Sequence, residues 1–257
     1  MSMKFYQKPW FIFGLITTIF LVYGLALENG WWILKGKDAG QLGTFGDSWG
    51  MLTSLFSALA FGGLMITIWQ QQEELGLTRK EMKDQQFENM LFKMLEVHAT
   101  IVADLDLRSR SANNQQTTTG RDCFTAFLKR LTDNYSFYQK KDPSKSDQEL
   151  VEVAYRYFWR KNRNNLGHYF RYVYNIFKYI DNSDREDKKT YTNIVRAQLS
   201  DHEVALLYYN CLSEFGSEKF KPLAVEYELF DNMPKDLLIR VQHEDLYPKK
   251  AFGCDKP

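Results

Sequence analysis

An arginine and a histidine near the middle of the chain have the types and spacing to act on a phosphodiester. Arg163 and His168 are separated by four residues in the stretch RNNLGH. A neutral imidazole is a general base near pH 7, and a guanidinium can clamp a phosphate through two parallel hydrogen bonds. Asn165 is a typical N-cap residue, which predicts that His168 lies in the first turn of a helix. The helix dipole there would disfavour the protonated imidazole.

This spacing resembles the R-x4-6-H motif of helical RNases in the HEPN superfamily. The resemblance implies a metal-independent RNase in which Arg163 and His168 are the catalytic residues. The motif is short, however, and Arg196 with His202 also fits it. The RNase is therefore one hypothesis among several.

A positively charged stretch surrounds the pair. Residues 153–180 contain six Lys or Arg residues and no Asp or Glu, in a chain of net charge +1. Ten aromatic residues are interleaved with these cations. Such a surface attracts phosphates and can stack on bases, and anionic lipid head groups are a second candidate ligand. The alternative is a helix pair with its aromatics in the core and its cations in solvent. The candidate binding residues are Arg156, Arg160, Lys161, Arg171 and Asn175, with Arg196 and Gln198 further along.

Helical periodicity predicts the elements that position these residues, and no alternating strand pattern is present. Helices are expected at 121–137, at 148–161 after a cap at Ser146 or Asp147, at 165–180, and from a capping box at Ser200 and Glu203 to Phe215, ending at Gly216. Loops are expected at 108–120 and 140–147, and residues 234–257 carry no assignment. The predicted fold class of this part is all-α.

Two apolar stretches precede the polar part. Residues 9–27 hold nineteen residues without a charge, which as a helix would span roughly 28 Å. A second apolar stretch covers residues 49–69. We expect two transmembrane helices, at about 10–27 and 49–69. The alternatives are two buried core helices, or a cleaved signal peptide for the first stretch.

The predicted organisation follows from these spans. Residues 1–72 form a transmembrane hairpin, 73–105 a stalk helix and 106–257 a cytoplasmic all-α domain. Five Lys or Arg residues flank the outer ends of the two spans (Lys4, Lys8, Arg79, Lys80, Lys83), and two lie in the loop between the spans (Lys35, Lys37). This excess favours both ends in the cytoplasm of a bacterial inner membrane. Ser54, Ala58 and Gly62 form a small-residue face for packing against the first helix or another subunit.

The composition of the chain argues against several kinds of site and partner. Three cysteines lie far apart without a C-x-x-C motif, which argues against a disulfide framework and a cysteine zinc site. The even charge balance argues against a globally basic nucleic-acid binder. We expect no cofactor and no metal. The expected partners are the lipid bilayer, a second copy of the chain, and RNA or a phage component.

Three sequence blocks carry a resemblance to a known family. They are GTFGDSWGMLTSLFSALAFGGLMITIWQQQEEL (43–75), NLGHYFRYVYNIFKYID (165–181) and YTNIVRAQLSDHEVALLYYN (191–210). Their order resembles that of the putative phage abortive infection proteins, an AbiC-like family. One departure is Thr53-Ser54, where the family pattern has Asn-Pro. The matching positions are Gly46, Asp47, Gly167, His168, Tyr169, Phe170, Arg171, Arg196, Gln198, Leu199 and Ser200.

The resemblance implies a bacterial anti-phage protein with two membrane helices and a helical cytoplasmic domain. It supplies no agreed set of catalytic residues. Three hypotheses therefore remain open: action at the membrane, a tethered RNase of the HEPN type, and a non-catalytic sensor of a phage component or partner.

Overall fold

A computed structural model describes residues 39–111 and 114–253, together with residues 18, 19, 21, 22 and 25. The chain is mostly helical, at 78% helix, which confirms the helical class. It divides into two compact units, Met1–Glu81 and Met82–Pro257. The helical part that carries the predicted site residues belongs to the second unit.

The longest helix, α1, runs from Ala39 to Ala103 without interruption. It contains the second predicted span and the predicted stalk. The sequence predicted residues 28–47 as the loop between the two spans. Because α1 begins at Ala39, residues 39–47 are helical and this part of the loop prediction was wrong. Among the described residues, only the helix segment Thr53–Ala103 is long and apolar enough to cross a membrane. Its most apolar 18-residue stretch has a mean hydropathy of 1.3, and none of that stretch is buried. The first predicted span, at 10–27, lies outside the described residues apart from five positions.

A two-stranded antiparallel hairpin follows α1, where the sequence predicted a loop. Strand β1 is Asp106–Ser111 and β2 is Asn114–Thr119, with Leu107 opposite Thr118. The loop prediction for 108–120 was wrong because both strands are polar and show no apolar alternation; β-branched threonines at 117–119 were the available signal. Gly120, at φ +61°, closes the hairpin with its N–H donating to the Leu105 carbonyl at 2.8 Å.

Two helices joined by a short loop form the centre of the second unit. Helix α2 is Asp122–Lys141 and α3 is Asp147–Asp181. Ser146 is the N-cap of α3 and forms a capping box with Glu149, which confirms the predicted cap. The sequence predicted two helices separated near Asn165, and this was wrong. Helix α3 continues through this point because its inward face is unbroken there: Phe158, Asn162 and Leu166, spaced by four, are all buried. The buried Asn162 amide is satisfied, since its Nδ2 donates to the Phe158 carbonyl at 2.8 Å and its Oδ1 accepts from Arg130 of α2 at 2.9 Å.

Three shorter helices complete the regular structure: α4 (Lys188–Gln198), α5 (Asp201–Leu212) and α6 (Lys221–Glu226). The predicted capping box at Ser200 and Glu203 starts α5. Helix α5 ends at Leu212, before the predicted Gly216, which does not adopt a left-handed conformation. Short 3₁₀ helices follow at Lys235–Leu237, Val241–Leu246 and Lys249–Phe252.

The core lies where α2, α3 and α5 pack together. Apolar positions spaced by three and four turn one face of α3 inward. Residues 82–103 of α1 contribute Leu91, Leu95 and Val102 to the same core. The stacked rings of Phe87 and Tyr179, 5.1 Å apart, fix this part of α1 against the end of α3.

Candidate functional site

The predicted catalytic pair lies on the surface of α3. Arg163 and His168 are both exposed. Helix α3 begins at Asp147, so His168 is in the helix interior and the predicted placement in a first turn was wrong. Five residues at roughly 100° each put the two side chains about 140° apart around the helix axis. Within one chain the pair therefore does not share a face, and its catalytic role stays a prediction.

The aromatic residues of the positively charged stretch lie mostly in the core. Five are buried (Tyr155, Phe158, Tyr169, Phe170, Phe177) and four are half-buried (Trp159, Tyr172, Tyr174, Tyr179). Of the ten, Tyr157 alone is exposed, at 39%. The packing alternative therefore accounts for most of the interleaved pattern. Along α3, whose side chains are all described, the rings do not form a continuous surface on which bases could stack.

Several of the predicted binding cations already have partners. Arg156 pairs with Glu152 at 3.0 Å and with Glu214 at 2.9 Å, and Lys161 lies over the ring of Tyr157. Arg160 is exposed on the same helix. These contacts leave Arg156 and Lys161 as solvated surface charges in weak pairs.

Arg196 acts within the fold. Its Nη1 donates to the Glu228 carbonyl at 2.8 Å, and its Nη2 lies 3.3 Å from Asp231 Oδ2. Gln198 is exposed, and its backbone carbonyl accepts from Arg121 at 3.1 Å. Arg196 therefore ties α4 to the turn after α6, where Glu228 has a positive φ of 52°.

The small-residue face on α1 is also accessible. Ser54 and Ala58 are exposed and Gly62 is half-buried. Among the described residues, no atom lies within 4 Å of the position that a Cβ on Gly62 would take. The packing role of this face remains a prediction.

A cleft in the second unit brings two of the predicted binding residues, Arg171 and Asn175, together with others. Its volume is about 380 Å³, and it lies between α3 and the segment from the end of α5 to the start of α6. We name it the α3 cleft, and its lining residues are Trp159, Gly167, Phe170, Arg171, Tyr174, Asn175, Asn210, Phe215, Gly216, Lys219 and Phe220. That volume is within the range of small-molecule sites, about 300–1,000 Å³.

Aromatic rings form the walls of the α3 cleft. The Trp159 ring centroid is 5.1 Å from that of Phe215 and 5.9 Å from that of Phe170. Tyr155 stacks behind Trp159 with an interplanar angle of 17°. Because these rings pack on one another, the walls are supported by the core and are largely preformed.

The lining of the cleft includes two glycines, and packing requires a glycine at only one of the two positions. Gly216 is required by packing, because a Cβ there would lie 2.6 Å from the backbone oxygen of Asn210. Gly167 lies inside α3, and a Cβ there would meet only the Trp159 ring, at an ordinary 3.8 Å. Packing therefore does not require a glycine at 167, and its missing side chain leaves open space in the cleft.

The polar groups of the cleft are few and mostly cationic. Arg171, Asn175 and Lys219 are exposed, whereas Asn210 is buried. Asn210 Nδ2 donates to the Tyr155 hydroxyl at 2.8 Å, which leaves its Oδ1 as a hydrogen-bond acceptor beside Gly216. In the part of the chain that the structure describes, the side chains of Arg171 and Lys219 have no ion-pair partner. The cleft can thus receive an anion beside an aromatic surface.

A buried carboxylate organises the other side of α3. Glu203 is fully buried; its Oε2 accepts from the backbone N–H and hydroxyl of Ser200, at 2.8 and 2.7 Å, and its Oε1 accepts from the Tyr169 hydroxyl at 3.1 Å. His98 of α1 places Nε2 3.5 Å from the same Oε1. Burial lowers the pKa of His98, against the opposing effect of Glu203, and burial raises the pKa of Tyr169. This network joins α1, α3 and α5.

A second buried histidine links the C-terminal 3₁₀ helices to α2 and α5. The Tyr135 hydroxyl donates its proton to Asp147 at 2.7 Å, so it can only accept from His243 Nε2, which lies 3.4 Å away. A neutral ring with its proton on Nε2 then accepts at Nδ1 from the Tyr209 hydroxyl, at 3.0 Å, while the Tyr209 oxygen accepts from the Ile239 N–H. Burial lowers the pKa of His243, so a neutral ring satisfies this chain of hydrogen bonds. The network is structural and lies apart from the α3 cleft.

Comparison with known proteins identifies the segment that contains most of the cleft. Residues 161–238 match the family model described as "Putative phage abortive infection protein". The resemblance drawn from the sequence is confirmed over this segment, which contains the second and third sequence blocks; the first, at 43–75, lies outside it. No curated protein and no solved structure matches the chain. The family match indicates a role in anti-phage defence.

Of the eleven lining residues, only Arg171 and Asn175 were predicted binding residues. Trp159, Asn210, Phe215 and Lys219 were not candidate binding residues. The available signal was the short polar and aromatic segment 213–220 directly after α5, in which we assigned Gly216 only to helix termination. Its approach to α3 depends on the path of the chain after Leu212, which periodicity does not give.

Proposed function

We propose that this chain is an anti-phage defence protein anchored in the bacterial inner membrane, whose second unit acts as a binding module through the α3 cleft. The observation that carries the proposal is the family match at residues 161–238, which contain every cleft residue except Trp159. Of the three hypotheses, this is the non-catalytic sensor combined with membrane anchoring.

The apolar part of α1 supports the membrane anchor. Large apolar side chains are exposed around the whole helix, including Phe56 at 63%, Phe61 at 65% and Trp69 at 77%. A helix that is apolar on all sides needs an apolar environment. Arg79, Lys80 and Lys83 follow this segment, which favours the cytoplasmic side for the second unit. The first span and the two-pass arrangement are part of the proposal.

The contrast between the cleft and the predicted catalytic pair supports binding over catalysis. Arg171 and Lys219 border one concave site with aromatic walls. Arg163 and His168 lie about 140° apart around the axis of α3. A site that holds a ligand between rings and cations can signal occupancy without chemistry of its own.

Phage challenge tests the proposal. Bacteria expressing the full chain are compared with bacteria expressing Arg171→Gln plus Lys219→Gln, at matched protein levels. Lys129→Gln is the control, because it removes an exposed cation of α2 that belongs neither to the cleft nor to a predicted site. We expect the double variant to lose protection and the control to keep it. Full protection by the double variant would refute a role of the cleft in defence.

Membrane anchoring is tested separately by fractionation. The wild-type chain should remain in the membrane after alkaline carbonate washing and dissolve only in detergent. Leu59→Lys plus Leu64→Lys, combined with Ile12→Lys plus Ile19→Lys in the first proposed span, places two charges in each apolar segment and should release the chain into the soluble fraction. A wild-type chain that is soluble without detergent would refute the anchor.

A further inference from the structure

We infer that the ligand of the α3 cleft is a small aromatic phosphate ester of the nucleoside monophosphate class. The inference deepens the proposed function, since it rests on the same cleft and names the chemistry that fits it. Three features together define this class: an aromatic wall against which a planar ring can pack, cations that bind a phosphate, and an acceptor for the polar edge of a base.

The walls favour a planar aromatic group. Trp159 and Phe215 form a tilted pair at 31° and 5.1 Å, and Phe170 and Tyr174 continue the surface. Stacking of a base on aromatic side chains contributes about 1–3 kcal/mol per base. The volume of about 380 Å³ suits one small ligand better than a polymer.

Gly167 is the strongest evidence that a ligand occupies this space. A glycine inside a helix costs about 1 kcal/mol relative to alanine. The structure offers no packing reason for that cost, because a Cβ would meet only Trp159 at 3.8 Å. What the glycine does provide is depth in the cleft beside the Trp159 ring, where the face of a base would lie.

The charges favour a phosphate on the same ligand. Arg171 and Lys219 border the cleft from opposite sides, one on α3 and one on the segment after α5. No carboxylate is among the lining residues. Glu214, the nearest acid in the sequence to Phe215, is already paired with Arg156 at 2.9 Å. An arginine and a lysine on either side of an opening can bind a phosphate dianion through charge-assisted hydrogen bonds.

The buried amide accounts for the polar edge of a base. Asn210 Nδ2 is committed to the Tyr155 hydroxyl, which leaves Oδ1 as an acceptor beside Gly216, another lining residue of the cleft. Exocyclic amines and ring N–H groups of nucleobases are matching donors. Inorganic phosphate or a lipid head group would use the two cations but would leave the aromatic walls and this acceptor unmatched.

Calorimetry with the full-length chain in detergent tests the inference. The probes are AMP, GMP, CMP and UMP, with ribose 5-phosphate and inorganic phosphate as controls that lack the base. We expect at least one nucleoside monophosphate to bind about tenfold or more tightly than either control. Arg171→Gln and Lys219→Gln should each weaken binding about tenfold, and Lys129→Gln, on the exposed surface of α2, should not change it.

Gly167→Leu provides a steric variant. Its side chain fills the cleft and should abolish binding while circular dichroism and the melting temperature show a folded chain. If it fails to fold, Gly167→Ala replaces it, with a smaller loss of affinity expected. The inference is overturned if none of the four nucleotides binds at millimolar concentration, if ribose 5-phosphate binds equally well, or if only a single-stranded oligonucleotide binds.

The two proposals fail in distinguishable ways. Nucleotide binding that depends on Arg171 and Lys219, together with unchanged phage protection in their double variant, would leave the ligand class standing and refute the defensive role of the cleft. If the wild-type chain binds none of the nucleotides and the double variant still loses protection, the ligand class is refuted and the defensive role of the cleft stands.

Discussion

Gly167 and Gly216 border the same cleft, and alanine at the two positions should change stability in opposite directions. Gly167→Ala removes the conformational cost of a helix-interior glycine, about 1 kcal/mol. Its new methyl group would lie 3.8 Å from the Trp159 ring, an ordinary contact, so no strain opposes the gain. For a unit of this size the melting temperature should rise by about 2–4 °C.

Gly216→Ala should be destabilising for a steric reason. The added Cβ would lie 2.6 Å from the Asn210 backbone oxygen and 2.7 Å from its Oδ1. The side chain of Asn210 is held by Tyr155, and the backbone oxygen accepts from Ser213 at 3.1 Å, so neither can move freely. Overpacking of this kind costs about 1–3 kcal/mol, which lowers the melting temperature by about 3 °C or more.

The assay is thermal unfolding of the full-length chain in detergent. Near-ultraviolet circular dichroism follows the second unit, because most of its tyrosines are buried there. Far-ultraviolet circular dichroism at low temperature checks that both variants keep their helix content. A destabilising Gly167→Ala would show that the space beside Trp159 is needed for packing, and would remove the main argument for a ligand in the cleft.

Three further predictions concern the rest of the second unit. Glu203→Ala should lower the free energy of unfolding by about 2–5 kcal/mol, because it leaves buried hydroxyl and N–H groups without an acceptor. Glu149→Ala, in the exposed capping box, is the matched control. A urea titration should show a smaller loss of stability for this control. Burial holds the pKa values of His98 and His243 below their ordinary 6.5, so the folded state binds fewer protons than the unfolded chain. Stability should therefore be complete above about pH 6.5 and decline at lower pH. The urea midpoint of the His98→Gln plus His243→Gln variant should depend less on pH than that of the wild type, and an equal dependence would contradict this assignment. His168→Ala should preserve both phage protection and host RNA integrity; loss of protection with a normal protein level would instead favour the RNase hypothesis.

The sequence by itself determined the features that arise from local periodicity and composition. It predicted a predominantly helical fold, the uninterrupted helix from the second apolar stretch to about residue 105, a cap at Ser146 or Asp147 before α3, and the capping box that starts α5. It also predicted the family resemblance, since motif order does not depend on knowing the contacts. Each of these properties is carried by neighbouring residues along the chain.

Local signals failed where distant residues decide the outcome. Asn165 has the character of a helix start, yet α3 continues through it because the buried face of the helix runs unbroken from Phe158 to Leu166 against the core. The polar hairpin after α1 is held by backbone pairing, which leaves no apolar alternation in the sequence.

The candidate site shows the same division. The charge of α3 and its interleaved aromatics were evident in the sequence, but which rings face inward depends on the packing of α2 and α5. Arg171 and Asn175 became part of a cleft only because the turn after Leu212 brings Phe215 and Lys219 against α3. Tertiary structure decided the site because a pocket consists of the space between segments, and that space is fixed by core packing rather than by any one helix.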